Sequence, residues 1–197
     1  MPGVVHPSCG GDMLKLFIPK ERAVGEARVA ATPETVKRLA KEGLQVVVES
    51  EAGKGAAILD QRYQDAGARI ASDLPAEWAS ADVIFKVAPP ADACVGNDVA
   101  ALKPGALLVS FLQPHRNLPM VHTLAAGKVT SLAMELVPRI TRAQSMDALS
   151  SQANIAGYKA VLLAASKLGK YFPMLMTAAG MVPPARVFVI GAGVAGL

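Results

Sequence analysis

Two stretches of this chain combine residue types and spacings that could do chemistry. The first is Gly191-Ala192-Gly193-Val194-Ala195-Gly196, a G-x-G-x-x-G run directly behind the apolar run Val187-Phe188-Val189-Ile190. Where a strand ends and a helix begins, such a run can cradle a pyrophosphate. Gly191 allows the tight turn, Gly193 lets backbone amides approach the phosphates, and Gly196 lets the helix pack close to the strand. The second stretch is Arg139 to Ser150, in which Arg139 offers a forked cationic donor, Gln144 an amide, Asp147 an acceptor and Ser150 a hydroxyl. Plainer readings stay open for both. The glycines suit a Gly/Ala-rich turn into a buried helix, and Asp147, Ser150 and Ser151 suit the cap of a following helix, with Arg139 and Arg142 on a solvated loop.

Elements that could position these groups follow from pattern. Leu14 to Pro19 reads as a first strand, and residues 1–12, rich in Gly, Pro and Ser without a period, as a disordered extension. Thr32 as N-cap, Pro33 at the first helical position and Gly43 past the end predict a helix to Glu42. Strands are expected at Gln45–Glu49, Val83–Val87 and Ala106–Leu112, helical pieces at Asp60–Ala66 and Leu118–Ala126, and short apolar runs around Val129 and Leu132. This alternation predicts an α/β fold with a doubly wound parallel sheet covered on both faces. A longer helix, capped by Ser150 or Ser151, running to about Leu168 and stopped at Gly169, is expected as a connecting segment (151–170) between that domain (13–150) and a strand Arg186–Ile190 with its glycine turn, the opening of a Rossmann domain over 171–197. Such a domain also needs a helix, a second strand and an acidic residue after the turn, so the sequence reads as the front part of a longer polypeptide.

Composition narrows the classes. The 197 residues are 52% hydrophobic and 18% charged, enough for a sizeable core. The excess of 20 Lys+Arg over 16 Asp+Glu forms no basic run, which argues against nucleic acid. Lys167, Lys170 and Pro173 interrupt the most apolar region, so no membrane span is expected, and the first residues do not resemble a secretory signal. Cys9 and Cys94 read as unpaired thiols, and His6, His115 and His122 share no metal-ligand spacing.

Three segments together resemble the alanine dehydrogenase/proton-translocating transhydrogenase superfamily. They are Ile18-Pro19-Lys20-Glu21 followed by Glu26-Ala27-Arg28-Val29-Ala30-Ala31-Thr32-Pro33, the strand Ala81-Asp82-Val83-Ile84-Phe85-Lys86-Val87, and the run from Met134 through Pro138-Arg139-Ile140-Thr141-Arg142-Ala143-Gln144-Ser145-Met146-Asp147 to Gly157-Tyr158. The third run, with GAGVAGL behind it, is similar to the NAD(H)-binding component of the transhydrogenase branch. The resemblance implies that Arg139, Gln144, Asp147 and Ser150 position the dihydronicotinamide. It further implies that Ile140, Thr141, Arg142, Ala148, Leu149, Gly191, Gly193, Val194 and Gly196 complete the NAD(H) contacts. It implies a homodimer at the cytoplasmic side of a membrane, with NADP(H) on a partner subunit, a membrane-spanning partner, and hydride transfer coupled to proton translocation.

Departures separate the branches. In alanine dehydrogenases an arginine, a lysine and a histidine handle the keto acid. Arg28 and Lys86 match the first two, but Gln113 stands where the histidine is expected, and His115 lies two residues on beyond Pro114. Amino-acid oxidation thereby loses its acid/base group. Hydride transfer between two nicotinamides needs none, only close and oriented rings with water excluded. Arg28 and Lys86 also read as structural ion-pair partners, Lys86 with Glu26 or Glu135. An alanine dehydrogenase-like oxidoreductase and a non-catalytic assembly module remain the alternatives.

Overall fold

A computed structural model describes residues 13–90 and 99–197. The expected extension 1–12, His6, Cys9 and Cys94 lie outside the described residues. The chain divides into two compact units, 1–134 and 135–197.

The first unit is built on six strands: β1 (Lys15–Ile18), β2 (Gln45–Val48), β3 (Arg69–Ile70), β4 (Val83–Phe85), β5 (Leu107–Ser110) and β6 (Thr130–Ala133). All pair in parallel in the order β3-β2-β1-β4-β5-β6. The order reverses between β1 and β4, the place where doubly wound sheets open a crevice at the strands' carboxyl ends.

Side-chain alternation along the strands feeds two cores. Phe17, Val47, Ile84 and Leu108 point into one, with Trp78, Met120 and Leu124. Leu16, Ile18, Val46 and Val48 point into the other, with Val36 and Tyr63. The helices therefore lie on both faces: α1 (Pro33–Lys41) and α2 (Asp60–Asp65) on one, α3 (Leu74–Ser80) and α4 (Leu118–Ala126) on the other. Leu16, Phe17 and Ile18 are fully buried, which is why β1 reads as an unbroken apolar run rather than an alternating one.

The capping of α1 follows the expected chemistry. The Thr35 amide donates to the Thr32 hydroxyl at 3.3 Å, and Gly43 at φ 88° takes the left-handed position that ends the helix. Helix α3 has no clear signal in the sequence because seven residues hold barely two turns. Asp73 caps it by accepting from the Ala76 amide at 3.3 Å, and it buries Trp78 edge-on against Phe17, with ring centroids 5.3 Å apart.

The second unit holds a 3-10 segment (Thr141–Met146), helix α5 (Ala148–Lys167) and the antiparallel pair β7 (Leu175–Thr177) and β8 (Gly180–Val182), a hairpin that the sequence pattern does not announce. Two local expectations are corrected here. Asp147, not Ser150 or Ser151, is the N-cap of α5, because a carboxylate one residue before the helix reaches the free amide of Ser150. The helix ends where expected, with Leu168 as its C-cap, extended at φ −79° and ψ 127°. Residues 186–190 form no ladder among the described residues, since a parallel strand exists only by pairing with a neighbour. Among the described residues no helix is long and apolar enough to cross a membrane.

Candidate functional site

In the second unit, Arg139, Ile140, Thr141, Arg142, Gln144 and Leu149 are exposed, whereas Asp147, Ala148 and Ser150 are half-buried. The buried Ala143 pins the short helical segment that displays them. Backbone bonds shape that segment: the Ala143 amide donates to the Ile140 carbonyl at 2.9 Å and the Asp147 amide to the Gln144 carbonyl at 3.2 Å. The tight winding brings the chain to Asp147 in position to cap α5.

Asp147 is fixed by two donors from one residue. The Ser150 amide donates to Oδ1 at 2.9 Å and the Ser150 hydroxyl to Oδ2 at 2.6 Å. Those bonds, the hydroxyl's first, together with the charge of Arg139, hold the Asp147 carboxyl below its ordinary value against the opposing effect of desolvation. The plain reading of Asp147 as a cap is therefore correct in itself. A carboxylate has about four lone-pair directions, and the two Ser150 donors with a further contribution from the Leu149 amide leave it able to accept from a ligand amide as well. With exposed donors on Arg139 and Gln144 nearby in sequence, the segment offers donors and an oriented anion together.

The glycine turn belongs to the same unit. Gly191 stands at φ 101°, a conformation that a side chain disfavours. A Cβ on Gly196 would collide with the Gly191 carbonyl oxygen and sit 3.4 Å from Val189 Cγ1. Gly193 is different: a Cβ there would meet nothing within 4 Å. Two of the glycines are thus required by the turn's own shape, while a side chain on the third would meet open space. The Gly196 and Leu197 amides donate to the Gly193 carbonyl at 2.9 and 3.1 Å, closing a turn that carries Val194. The residues present fit a dinucleotide's pyrophosphate.

The first unit has its own cluster at the carboxyl ends of β1 and β4. The Lys86 ammonium faces the Glu21 carboxylate at 3.4 Å, with side chains 3% and 2% exposed. The Val87 amide donates to Glu21 Oε1 at 2.5 Å, and the Ser110 hydroxyl donates to the Ala88 carbonyl at 2.9 Å. Lys86, expected to pair with Glu26 or Glu135, forms its ion pair with Glu21, and Glu26 is taken by Arg28: the Arg28 Nε and Nη2 donate to its two carboxylate oxygens at 2.8 and 2.7 Å. The hydrogen bond from Arg28 lowers the Glu26 pKa below the ordinary value, and the same bond raises that of Arg28.

An open cleft of about 280 Å³ lies beside this cluster, lined by Lys20, Glu21, Arg28, Glu51, Lys54 and Gly55 among others. Lys20 and Lys54 both donate to Glu51, at 3.0 and 2.7 Å, so its charges are mutually paired. Gln113, in the turn after β5, has φ 47°, an unusual conformation for a side-chain-bearing residue. His115 is exposed two residues further on. Sequence reasoning assigns Glu21 no role, although a charged residue directly behind a fully buried strand is a usable signal. Among the described residues no group of three or more His, Cys, Asp or Glu side chains is placed to hold a metal.

Comparison with known proteins matches residues 17–156 to the alanine dehydrogenase/PNT N-terminal domain and residues 160–197 to the C-terminal domain of the same family. The chain is 54% identical over 185 residues to the first portion of NAD(P) transhydrogenase subunit alpha of Rhodospirillum rubrum, covering 93% of this chain and 48% of that protein. It is 50% identical over 180 residues to NAD(P) transhydrogenase subunit alpha of Haemophilus influenzae, covering 91% and 34%. The crystal structure of transhydrogenase from Sinorhizobium meliloti superposes with a TM-score of 0.86 at 48% identity, over 92% of this chain and 51% of that one. The chain thus spans about half the length of the Rhodospirillum relative and about a third of the Haemophilus one.

Proposed function

The chain belongs to the alanine dehydrogenase/PNT family, and we propose that it supplies the front part of the NAD(H)-binding component of a proton-translocating NAD(P) transhydrogenase. The observation that carries this reading is that one compact unit holds both the Arg139–Ser150 segment and the glycine turn, joined through helix α5. NADH would lay its pyrophosphate over the turn at Gly191, Gly193 and Gly196. Its nicotinamide would lie by Arg139, Gln144, Asp147 and Ser150, with Ile140, Thr141, Arg142, Ala148, Leu149 and Val194 completing the contacts.

Bound NADH supplies the hydride; the chain supplies orientation. Asp147, kept ionised and aimed by Ser150, would hold the carboxamide as an acceptor, while Arg139 and Gln144 would supply donors to it or to the incoming partner. For a hydride transfer of this kind no side chain here would need to move a proton. NADP(H) would be held by a partner subunit and proton movement would occur in a membrane-spanning partner. The component would be peripheral to the membrane on its cytoplasmic side and homodimeric.

An alanine dehydrogenase-like reaction is disfavoured by three features together. Gln113 replaces the expected histidine, Arg28 is engaged by Glu26, and Lys86 is buried against Glu21. A non-catalytic assembly module requires partner binding without nucleotide affinity.

The deciding experiment is NADH fluorescence titration of this chain beside a version carried on to the length of its relatives, followed by hydride transfer assays with an NADP(H)-binding partner. Saturable NADH binding and transfer by the longer form are expected. Steady oxidation of L-alanine by it would instead establish the dehydrogenase reading, and dimerisation without any NADH affinity would establish the assembly module.

A further inference from the structure

Helix α5 carries Gly157 in its interior, ten residues past its cap, where glycine is unfavourable by propensity. The structure gives a reason for it. A Cβ on Gly157 would lie inside van der Waals contact of the Ala195 carbonyl oxygen, 2.9 Å from its carbonyl carbon and 3.1 Å from its Cα. Ala195 sits within the glycine turn, between Val194 and Gly196, so the turn's backbone rests directly on the helix at this position. The obstruction is main chain at both ends, and no rotamer change relieves it.

Gly157 is also seven residues from Ser150, and at 3.6 residues per turn positions i and i+7 fall on the same helix face. Asn154, four residues from Ser150 and three from Gly157, shares that face and is exposed. The axial separation of Ser150 and Gly157 is about 10 Å at 1.5 Å per residue. One helix face therefore has the Asp147–Ser150 pair at one end and the phosphate-cradling turn two turns further along.

We propose that Gly157 is a positioning residue that seats the glycine turn against α5 and thereby sets the spacing between the nicotinamide-holding and pyrophosphate-holding segments. The inference rests on the NAD(H) reading above and adds a specific demand to it. The two segments must be held in one register for a dinucleotide, whereas a ligand that touches only one of them does not sense the register. Gly157 itself touches no ligand.

The test uses the subunit at the full length of its relatives, unsubstituted and as Gly157→Ala, with NADH, ADP and reduced nicotinamide mononucleotide as probes. The gain in helix propensity is opposed by the clash with the Ala195 backbone, so Gly157→Ala is expected to stay folded with a thermal stability equal to or below that of the unsubstituted protein. NADH affinity is expected to fall by about tenfold or more while ADP and reduced nicotinamide mononucleotide change by less than about threefold, because only the two-site ligand depends on the spacing. NADH binding by Gly157→Ala within about threefold of the unsubstituted protein overturns the inference and leaves the NAD(H) reading standing. Proportionate loss of all three probes also overturns it, as that outcome marks a collapsed turn. Absence of NADH binding in the unsubstituted subunit defeats the NAD(H) reading and this inference with it.

Discussion

Glu21 and Lys86 join the carboxyl ends of the two central strands, their charged groups 3.4 Å apart and nearly sealed from solvent. Glu21 Oε1 takes the Val87 amide, while Oε2 has the Lys86 charge as neighbour but no hydrogen-bond donor among the described residues. The pair sits where the doubly wound order reverses, in the crevice that related sheets leave open for ligands. Removing one partner strands a buried charge, at a cost of about 3–5 kcal/mol. Lys86→Met is therefore expected to lower the urea midpoint strongly, and the double variant with Glu21→Leu to recover part of the loss. Trp78, the single tryptophan and buried in the first unit, reports the transition. A Lys86→Met protein as stable as the parent would remove the pair from the account of stability.

Acid is expected to weaken the first unit through its other carboxylates. Burial raises the Glu77 pKa, but hydrogen bonds from Lys15 and Arg69 outweigh it, so the folded value lies below the ordinary 4.5. Hydrogen bonds from the Lys103 side chain and the Lys15 amide likewise hold Asp82 below 3.8. A depressed folded pKa contributes stability that is present in full above the unfolded value and is lost as pH falls through the folded one. Urea midpoints followed by Trp78 fluorescence are expected to be flat from about pH 7 down to about 5 and to drop below about 4.5. Glu77→Gln with Asp82→Asn should flatten that fall, and an unchanged pH profile in the double variant would count against these two groups.

The glycine turn offers a pair of substitutions with opposite structural consequences. Gly191→Ala places a side chain at φ 101° and is expected to cost about 1–3 kcal/mol in strain along with nucleotide affinity. Gly193→Ala meets no atom within 4 Å, so the fold should tolerate it. Its methyl group would nevertheless stand where a phosphate approaches, and NADH titration should register a loss without any change in melting temperature. Unaltered NADH affinity in Gly193→Ala would place the phosphates elsewhere.

Arg139 is exposed, and its removal has little to disturb in the fold. In the full-length subunit Arg139→Ala is expected to lower hydride transfer by about a hundredfold or more, the scale of loss when reacting groups are misplaced by about 1 Å. Arg139→Lys keeps the charge but not the planar fork, so it should rescue only a fraction of the rate. A full-rate Arg139→Ala enzyme would sink the assignment of this segment. Asp147→Asn is expected to keep the helix cap and lose the charge, separating the two roles of that residue in one measurement of helix content and NADH affinity.

Much of the architecture is legible from local chemistry alone. Thr32, Pro33 and Gly43 fix both ends of α1 because caps and left-handed turns depend on a few adjacent atoms. The apolar runs at β1, β2, β4 and β5 announce parallel strands buried on both faces, and the motif from Arg139 to Ser150 with the glycine turn identifies the family. What depends on a distant neighbour is not legible. Residues 186–190 read as a strand, yet pairing is a property of two segments and the described chain offers them no second one. The partner of Lys86 is out of reach for the same reason: Glu21 lies 65 residues away and becomes its neighbour only once β1 and β4 pair. The contact between Gly157 and Ala195 belongs to the same class. The sequence by itself determined the residue types, the caps and the hydrophobic period. Tertiary structure decided which charges neutralise one another and how closely two backbones approach, because those are set by three-dimensional packing and not by spacing along the chain.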